Sequence, residues 1–310
     1  MSRDLTPFLT IAPEVRQALD AGRPVVALES TIITHGMPWP KNRDMAREVE
    51  QTLRDGGAVP ATIAILDGRI HVGLSDAEME TLAQTPSDRV MKLSRADLAA
   101  CLAMGRTGAT TVAATMICAH LAGIRVFATG GIGGVHRGAE DSFDISADLQ
   151  ELALTPVTVV AAGAKAILDL PKTLEVLETL GVPVIAHGQD ALPAFWSRDS
   201  GLAAPLRMDD PAQIAQAATI RAGLGLPGGQ LVVNPIPAED EIPREVMIPV
   251  VEQALTEAVA QGIAAKQVTP FLLDRIFHLT QGRSLAANIA LVMNNARLAA
   301  KIAGAMSAQA

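Results

Sequence analysis

Tyrosine is absent from this chain, and aromatic residues make up only 3% of its 310 residues. Hydrophobic residues still reach 49%, so the apolar content is mainly alanine, valine, isoleucine and leucine. Such aliphatic content is typical of parallel strands that are buried on both faces and covered by helices. No charge run, low-complexity tract or repeat of fixed period marks a linker. The sequence therefore predicts a single α/β domain over residues 1–310, with a helical C-terminal portion.

Cysteine is also scarce, since the chain contains only Cys101 and Cys118, both within apolar helical patterns. Two unclustered thiols exclude a disulfide framework or a zinc site and indicate reduced core residues of a cytoplasmic protein. The N-terminus MSRDLTPFLT lacks the charged and apolar regions of a signal peptide. The longest weakly charged stretch, Thr107 to Ile124, carries His120 and is followed by Arg125, which favours a buried helix over a membrane span.

Basic residues are outnumbered, with 25 lysines and arginines against 33 acids and a formal net charge of -8. An acidic chain without a Lys/Arg run is a poor candidate for binding nucleic-acid polymers. A single phosphorylated small molecule remains a suitable ligand, because it needs only a local basic pocket.

Strand and helix patterns alternate along most of the chain. The predicted strands are Pro24–Leu28, Thr62–Leu66, Arg69–Gly73, Ile124–Ala128, Val157–Ala161, Val182–Ala186 and Leu231–Val233. The predicted helices are Lys41–Arg54, Thr111–Leu121, Ser146–Ala153, Lys165–Leu180 with a kink or break at Pro171, Pro211–Gly223, Pro243–Gly262, Pro270–Thr280 and Leu285–Ala303. Asp67-Gly68 predicts a tight hairpin turn, and Ser75 with Glu78 predicts a capping box.

The stretch from Phe127 to Leu149 concentrates special residues, since an apolar strand runs into four glycines, then His136 and Arg137, and then a fifth glycine, Gly138. Glycines let a backbone approach a ligand closely, and basic groups beside them suit a phosphate. Asp144 and Asp148 follow, and their carboxylates suit Mg²⁺ or Mn²⁺ with waters completing the shell. Both acids also fit the start of a helix around Ser146, so the metal and capping interpretations remain open.

Four polar residues end or interrupt apolar runs: Glu29, Thr129, Lys165 and Asn288. Lys165 lies among small and aliphatic residues, where desolvation favours the neutral amine, a nucleophile that forms Schiff bases. Alternatively, its stem packs while its head reaches water. Glu29, at the end of a strand, suits the role of a general acid or base. Alternatively, it caps a helix or forms a buried ion pair.

A dinucleotide fingerprint is disfavoured, because His136 takes the place of the third glycine in GIGGVH and no long helix starts there. Lys92 lies two residues before Ser94, and its positive charge suits binding of a phosphate at a helix N-terminus. Alternatively, Lys92 is an ordinary surface lysine.

Seven segments of the chain form a recognisable set: ALESTIITHGMPWPKN, TTVAATMICAHLAGI, VFATGGIGGVHRGAEDSFDISADLQEL, AGAKAILDL, ALPAF, NPIP and TPFLL. Together they resemble the pseudouridine-5′-phosphate glycosidase family, which includes the indigoidine-operon A-type proteins. The resemblance runs from about Pro24 to Lys301, and departures lie in the His187–Asp190 stretch and the Leu202–Leu206 loop.

The resemblance implies a three-layer α/β/α fold with a mostly buried mixed sheet, a homotrimer, and one divalent metal per subunit, usually manganese. It implies reversible cleavage of pseudouridine 5′-phosphate to uracil and ribose 5-phosphate. By resemblance, Glu29 is the proton donor, Lys165 the nucleophile and Asp144 the metal ligand. The implied substrate-binding residues are Lys92, Val112, Ser146, Ala147 and Asp148, together with Thr129, His136 and Asn288.

The implied bond is inert toward an ordinary pair of glycosidase carboxylates, because the base is attached through carbon rather than nitrogen. An amine that adds to C1′ of the opened ribose allows this carbon–carbon bond to break. One lysine and one carboxylic acid therefore suit the implied reaction better than two carboxylates. Three other functions remain open from the residues themselves: a Schiff-base aldolase acting on a sugar phosphate, an N-ribosidase, and a non-catalytic nucleotide-binding protein.

Overall fold

A computed structural model describes residue 5, residues 7–263 and residues 268–309. In this part of the chain the strands are β1 Leu9–Ile11, β2 Val25–Leu28, β3 Val59–Leu66, β4 Arg69–Val72, β5 Met91–Leu93, β6 Gly108–Thr110, β7 Val126–Ala128, β8 Thr158–Ala161, β9 Val184–Ala186, β10 Leu206–Arg207 and β11 Gln230–Val233. The helices are α1 Pro13–Asp20, α2 Thr31–His35, α3 Lys41–Asp55, α4 Asp76–Gln84, α5 Arg95–Ala103, α6 Val112–Ala122, α7 Ala139–Ser142, α8 Ala147–Leu154, α9 Leu170–Thr179, α10 Pro211–Gly223, α11 Arg244–Ala260, α12 Val268–Leu279 and α13 Arg283–Ala308.

The strands form one mixed sheet in the order β1-β4-β3-β2-β7-β8-β11-β9-β10. From β3 to β10 all neighbours along this path are parallel, whereas β4 and β6 both pair antiparallel with β3. Strand β5 extends the sheet beside β6. Strands β2, β8 and β11 are buried along their whole length, as continuous aliphatic runs in a covered parallel sheet should be.

Helices cover both faces of the sheet. Helix α13 packs on α3, α10 and strands β2, β7 and β8, while α6 packs on α5, α8 and strands β2, β3 and β7. Helix α13 is the longest described helix and its buried stripe is rich in alanine, which lets it lie close to the sheet. The predicted three-layer arrangement with a mixed, buried sheet and a helical C-terminal portion is confirmed.

Most predicted elements form within a few residues of their expected bounds, and Pro211–Gly223 forms as predicted. The hairpin turn is confirmed, with Asp67 and Gly68 both at positive φ between antiparallel β3 and β4. The Ser75–Glu78 capping box is also present. The side chains of Thr269 and Pro270, in the predicted helix Pro270–Thr280, lie outside the described residues.

One helix prediction is wrong in a way that matters, because residues 165–169 are not helical. Helix α9 begins only at Leu170, and Pro171 lies in its first turn instead of kinking it. The Asp169 side chain caps this helix by accepting a hydrogen bond from the Lys172 N–H at 3.1 Å. Small apolar residues favoured a helix locally, but the backbone before Asp169 pairs with a neighbouring loop instead.

Both cysteines are free and buried, as predicted from their apolar surroundings. Among the described residues, none of the helices has the length and apolar content needed to cross a bilayer.

Candidate active site

The carboxyl ends of three neighbouring parallel strands, β2, β7 and β8, meet at one edge of the sheet. Glu29 directly follows β2, Thr129 directly follows β7, and the loop that carries Lys165 follows β8. Open α/β sheets bind ligands at this edge, because loops there converge from adjacent strands. The fold thus collects residues that are more than 130 positions apart in the sequence.

Glu29 is held by two hydroxyl groups. The Thr129 hydroxyl donates to one oxygen of its carboxylate, and the Thr31 hydroxyl donates to the other. The side chain is partly buried beside a small cavity, whose polar walls are Glu29, Thr62 and Thr129. The remaining walls come largely from apolar residues of α3 and from strand ends. Glu29 therefore has a defined orientation, which a general acid requires.

The glycine loop, residues 130–135, continues the pairing between β7 and β8 beyond the strands. On one side the Ile132 N–H donates to Gly163 O and the Lys165 N–H donates to Ile132 O, both at 3.1 Å. On the other side the Ser146 N–H donates to Gly134 O at 3.0 Å. The loop is thereby clamped between the segment of Lys165 and the segment of Asp144 and Ser146.

His136 follows the glycine loop, and the charged groups around it influence the pKa of its imidazole. Burial holds the pKa of His136 below its usual value, the positive charges of Lys165 and Lys92 lower it further, and Asp144 opposes them. His136 Nδ1 lies 4.0 Å from Asp144 Oδ2. Lys92, Lys165 and Asp144 are thus close enough to His136 to interact electrostatically, and the backbone N–H of His136 also donates to Asp144 O at 3.0 Å. A small basic pocket of this kind suits a phosphorylated molecule.

Asp148 is buried, and both of its carboxylate oxygens accept backbone hydrogen bonds. Oδ1 accepts from the Ala113 N–H at 2.9 Å, and Oδ2 accepts from the Gly133 N–H at 2.8 Å. The predicted capping at the start of α8 is performed by Ser146, whose Oγ accepts from the Asp148 N–H at 3.2 Å. Asp148 therefore ties the N-terminus of α6 to the glycine loop.

Val112 is buried at the first position of α6, and Ala147 is exposed at the first position of α8. Both helices direct their N-termini toward the glycine loop through the contacts of Asp148 and Ser146. Beside Val112, the buried hydroxyl of Thr111 has no hydrogen-bond partner among the described residues. An unsatisfied hydroxyl at a helix N-terminus is a suitable contact for an anionic ligand.

Asn288 is partly buried on α13, and its side-chain oxygen accepts a hydrogen bond from Trp196 Nε1 at 2.6 Å. This contact joins α13 to the segment that follows ALPAF. Phe195, the last residue of ALPAF, lies against Gly131, where an added Cβ would come within 2.6 Å of the phenylalanine ring. The contact with Trp196 uses the side-chain oxygen of Asn288, which leaves its NH₂ group as the donor for a base. The substrate-binding role of Asn288 stays a prediction.

Sequence reasoning missed Asn295, which is fully buried on α13. Its side-chain amide donates to Thr129 O at 2.8 Å and to Gly130 O at 3.4 Å, and its oxygen accepts from Asn234 Nδ2 at 3.2 Å. The signal was an asparagine two helical turns after Asn288, on the same face of a largely apolar helix. Asn295 holds the start of the glycine loop, and through Thr129 it influences Glu29.

His35 was also given no role, although it follows Glu29 within the same segment. Its Nδ1 lies 2.6 Å from the Thr34 hydroxyl. Burial, reinforced by the positive charge of Lys92, lowers the pKa of His35. The shared influence of Lys92 on His35 and His136 indicates that the two imidazoles flank one basic region.

Asp144, the predicted metal ligand, lies beside His136. Within the described ranges, no group of three or more His, Cys, Asp or Glu side chains converges as a cage for an ion. The carboxylate of Asp144 is 43% exposed, so it is accessible to a hydrated cation. One carboxylate fits Mg²⁺ or Mn²⁺ only if waters or substrate oxygens supply most of the coordination shell.

Comparisons with known proteins agree along almost the whole chain. A family model described as indigoidine synthase A-like protein matches residues 14–305. The pseudouridine-5′-phosphate glycosidase of Paracoccus denitrificans is 77% identical over 303 residues, covering 98% of this chain and 100% of the relative. The protein of that name from Jannaschia sp. is 71% identical over the same shares of the two chains.

Solved structures agree as well. The prealnumycin C-glycosynthase AlnA in complex with ribulose 5-phosphate superposes with a TM-score of 0.90 at 40% identity, covering 97% of this chain and 98% of that chain. An indigoidine synthase A-like protein from Thermotoga maritima superposes with a TM-score of 0.87 at 33% identity, covering 97% of each chain.

Proposed function

Because this chain belongs to the indigoidine synthase A-like family, we propose that it cleaves pseudouridine 5′-phosphate reversibly to uracil and ribose 5-phosphate. The observation that carries the proposal is the convergence of Glu29, the Lys165 loop and a glycine loop at the carboxyl ends of β2, β7 and β8. A relative that forms C-glycosides and a ribulose 5-phosphate ligand in that relative support the same class of bond and substrate.

The reaction begins with proton transfer from Glu29 to the ring oxygen, O4′, which opens the ribose. The Lys165 amine attacks C1′ and becomes covalently attached to it. The proton that the amine loses on bonding to C1′ passes to uracil C5, which breaks the carbon–carbon bond, leaves a protonated imine between Lys165 and the sugar, and releases uracil. Water hydrolyses the imine to ribose 5-phosphate and free Lys165. The two hydroxyl groups that hold Glu29 support its role, because a positioned acid transfers its proton efficiently.

The phosphate binds between Lys92, His136 and the helix N-termini at Val112 and Ala147. The basic environment of His136 and the unpartnered Thr111 hydroxyl support this position. Ser146 and Asp148 contribute by orienting backbone groups of the glycine loop, and Asn288 contacts the base. Binding energy from the phosphate, remote from the reacting bond, helps to align C1′ with the amine.

A divalent cation, Mn²⁺ in our proposal, is held by Asp144 with waters or substrate oxygens. The exposed carboxylate of Asp144, which lies beside His136, supports this assignment. When bound, the ion supplies positive charge that stabilises anionic groups of the base or the phosphate. Uracil release in the presence of manganese, magnesium or a chelator measures the requirement, and full turnover in the chelator would contradict it.

Trapping of the covalent intermediate tests the function. Incubation with ribose 5-phosphate and borohydride should add one reduced pentose phosphate to Lys165, because reduction converts the imine into a stable amine. The measurement is peptide mass spectrometry, together with uracil release from pseudouridine 5′-phosphate. The Lys165→Ala variant should lose both the label and at least about 10³-fold of the activity.

Lys41→Ala, at an exposed lysine at the start of α3, is the matched control and should keep both label and activity. A label on another lysine would contradict the assignment. Pentose trapping without uracil release would indicate a Schiff-base aldolase instead. Release of uracil from uridine 5′-phosphate but not from its C-glycoside isomer would indicate an N-ribosidase, and absence of both trapping and turnover would favour a nucleotide-binding protein.

A cytoplasmic homotrimer is the form in which we propose that the enzyme acts. Association with further copies would cover strongly exposed apolar side chains, such as Phe143 and Val259 at 81% and Leu224 at 69%. The two buried free thiols are compatible with a reducing compartment. Light scattering measures the mass in solution, and a monomer at micromolar concentration would contradict the trimer.

A further inference from the structure

Glu50, on α3, is a carboxylic acid that the proposed reaction does not use. It is partly exposed, and its Oε1 lies 2.5 Å from the Thr62 hydroxyl of the adjacent strand β3. Burial raises the pKa of Glu50, while the Thr62 hydrogen bond and the positive charge of Arg54 oppose the increase. Glu50 is therefore an acid that exchanges its proton closer to neutral pH than an exposed glutamate does.

Thr62 connects Glu50 to Glu29. The register pairs Thr62 with Leu28, the residue immediately before Glu29, and parallel neighbours lie about 4.8 Å apart. Thr62 and Glu29 line the same cavity, where Thr129 is the third polar residue. The Thr62 hydroxyl thus faces Glu50 on one side, and a water in the cavity can join it to the Glu29 carboxylate on the other.

The chemistry creates a need for such a connection. In the overall hydrolysis, one water supplies two protons, of which one ends on C5 of uracil and the other on O4′ of the ribose. The O4′ proton comes directly from Glu29, whereas the hydrolytic water reacts at C1′, beside Lys165. Glu29 must therefore regain a proton before the next turnover.

We propose that Glu50 reprotonates Glu29 through the Thr62 hydroxyl and a water in the shared cavity, and that bulk solvent in turn reprotonates Glu50. Each transfer breaks one O–H bond and forms another, so no net charge accumulates on Thr62 or the water. The same path carries protons away from Glu29 in the synthetic direction. This inference rests on the proposed function, because it assigns the source of the proton that Glu29 delivers.

The solvent side of Glu50 is charged, which suits exchange with water. Arg54, one turn further along α3, and Asp76, at the start of α4, both act on Glu50 electrostatically. Glu14 of α1 does so as well and forms an ion pair with Arg54. Arg54 favours the ionised form of Glu50, whereas Asp76 and Glu14 favour the protonated form.

The Glu50→Gln variant tests the relay. Glutamine keeps the shape and a hydrogen bond to Thr62 but does not release a proton. We expect kcat for uracil release to fall about 10- to 100-fold with KM unchanged, because substrate binding does not involve Glu50. The rate should then rise with the concentration of a small buffer acid such as acetate, which reprotonates Glu29 directly. The wild-type rate should not depend on buffer concentration.

The pH profile gives a second readout. Only protonated Glu50 delivers a proton, so the wild-type kcat should contain a limb that falls as the pH rises through the raised pKa of Glu50. That limb should be absent from Glu50→Gln. Thr62→Val, which removes the connecting hydroxyl but leaves Glu50, should reproduce the loss of kcat and the rescue by acetate. Combining the two substitutions should cost little more than either alone.

Glu48→Gln is the matched control, because Glu48 is exposed on the same helix. Equal kcat, unchanged pH profile and no rescue by acetate in a folded Glu50→Gln or Thr62→Val protein would overturn the relay. Lower thermal stability without rescue would also overturn it, since it would assign Glu50 a purely structural role. Failure of the wild-type protein to release uracil would instead contradict the proposed function.

Discussion

At the scale of single residues, Asp148 shows how a side chain in an apparent metal motif acts through the backbone. Its two oxygens are occupied by the N–H groups of Ala113 and Gly133, within a site too crowded for a further side chain at position 133. A Cβ added to Gly133 would lie 2.2 Å from Ser146 Oγ. Close approach, rather than an unusual φ, therefore requires glycine at this position, and the carboxylate holds it there.

Replacing Asp148 with asparagine should weaken both the fold and the site. The amide oxygen accepts only one of the two N–H groups, and the amide nitrogen then faces the other donor. We expect a loss of about 1–3 kcal/mol in the free energy of unfolding and a raised KM for the substrate. Denaturant titration and steady-state kinetics measure these changes. Asp141→Asn, at an exposed position of α7, should change neither quantity; wild-type stability and KM in Asp148→Asn would contradict the expected role.

At the scale of secondary-structure elements, the site depends on a long helix that contributes little chemistry of its own. Helix α13 crosses β2, β7 and β8. From it, Asn295 reaches the carbonyl groups of Thr129 and Gly130. Gly130 O also accepts from the Ala162 N–H at 2.9 Å, so the Asn295 amide matters most at Thr129 O, directly after strand β7. A buried amide is needed there because an unpaired carbonyl in an apolar interior is costly.

The Asn295→Leu variant should therefore lose activity without losing a substrate contact. Removing the amide leaves Thr129 O and Gly130 O without this donor, which should cost about 1–3 kcal/mol of stability. We expect kcat to fall more than KM rises, because displacement of Thr129 disturbs Glu29 more than the phosphate pocket. Kinetics and thermal unfolding measure the effects. Arg297→Gln, exposed on the same helix, is the control; a variant with lower stability but unchanged kcat would refute the link to Glu29.

At the scale of the whole molecule, one continuous cluster of buried aliphatic residues joins the sheet to both helix layers. Both cysteines belong to it. Burial raises the pKa of the Cys118 thiol to about 12, and it also raises that of Cys101. The thiolate is the reactive form, so at pH 8 both groups should be inert unless the core opens.

Thiol modification should accordingly report unfolding of the core. In the native protein at pH 8, a disulfide exchange reagent should react with neither cysteine on the time scale of a free thiol. After unfolding in guanidinium chloride, both should react. Absorbance of the released thiolate measures the rate, and Cys101→Ala allows Cys118 to be followed separately. Rapid modification of Cys118 in the native protein would contradict a closed core.

Patterns read along the chain anticipated the regular elements well, because strands and helices follow local periodicity and caps. The hairpin at Asp67-Gly68 and the capping box at Ser75 depend on neighbours three or fewer positions away. Local patterns gave the wrong prediction for the segment after β8, where a helix was expected from Lys165 but begins only at Leu170. Its small residues favour a helix locally, but long-range pairing with the glycine loop determines its conformation.

The sequence by itself determined the α/β class, the family and the residues that lie close to the ends of strands. Aliphatic runs, glycines and motif order carry that information without reference to distant contacts. Only the tertiary structure decided which groups meet: Asp148 with two backbone amides, Asn295 with the glycine loop, and Glu50 with Thr62 beside the cavity of Glu29. The physical reason is that parallel strands distant in sequence become neighbours in the sheet, and no local pattern records that adjacency.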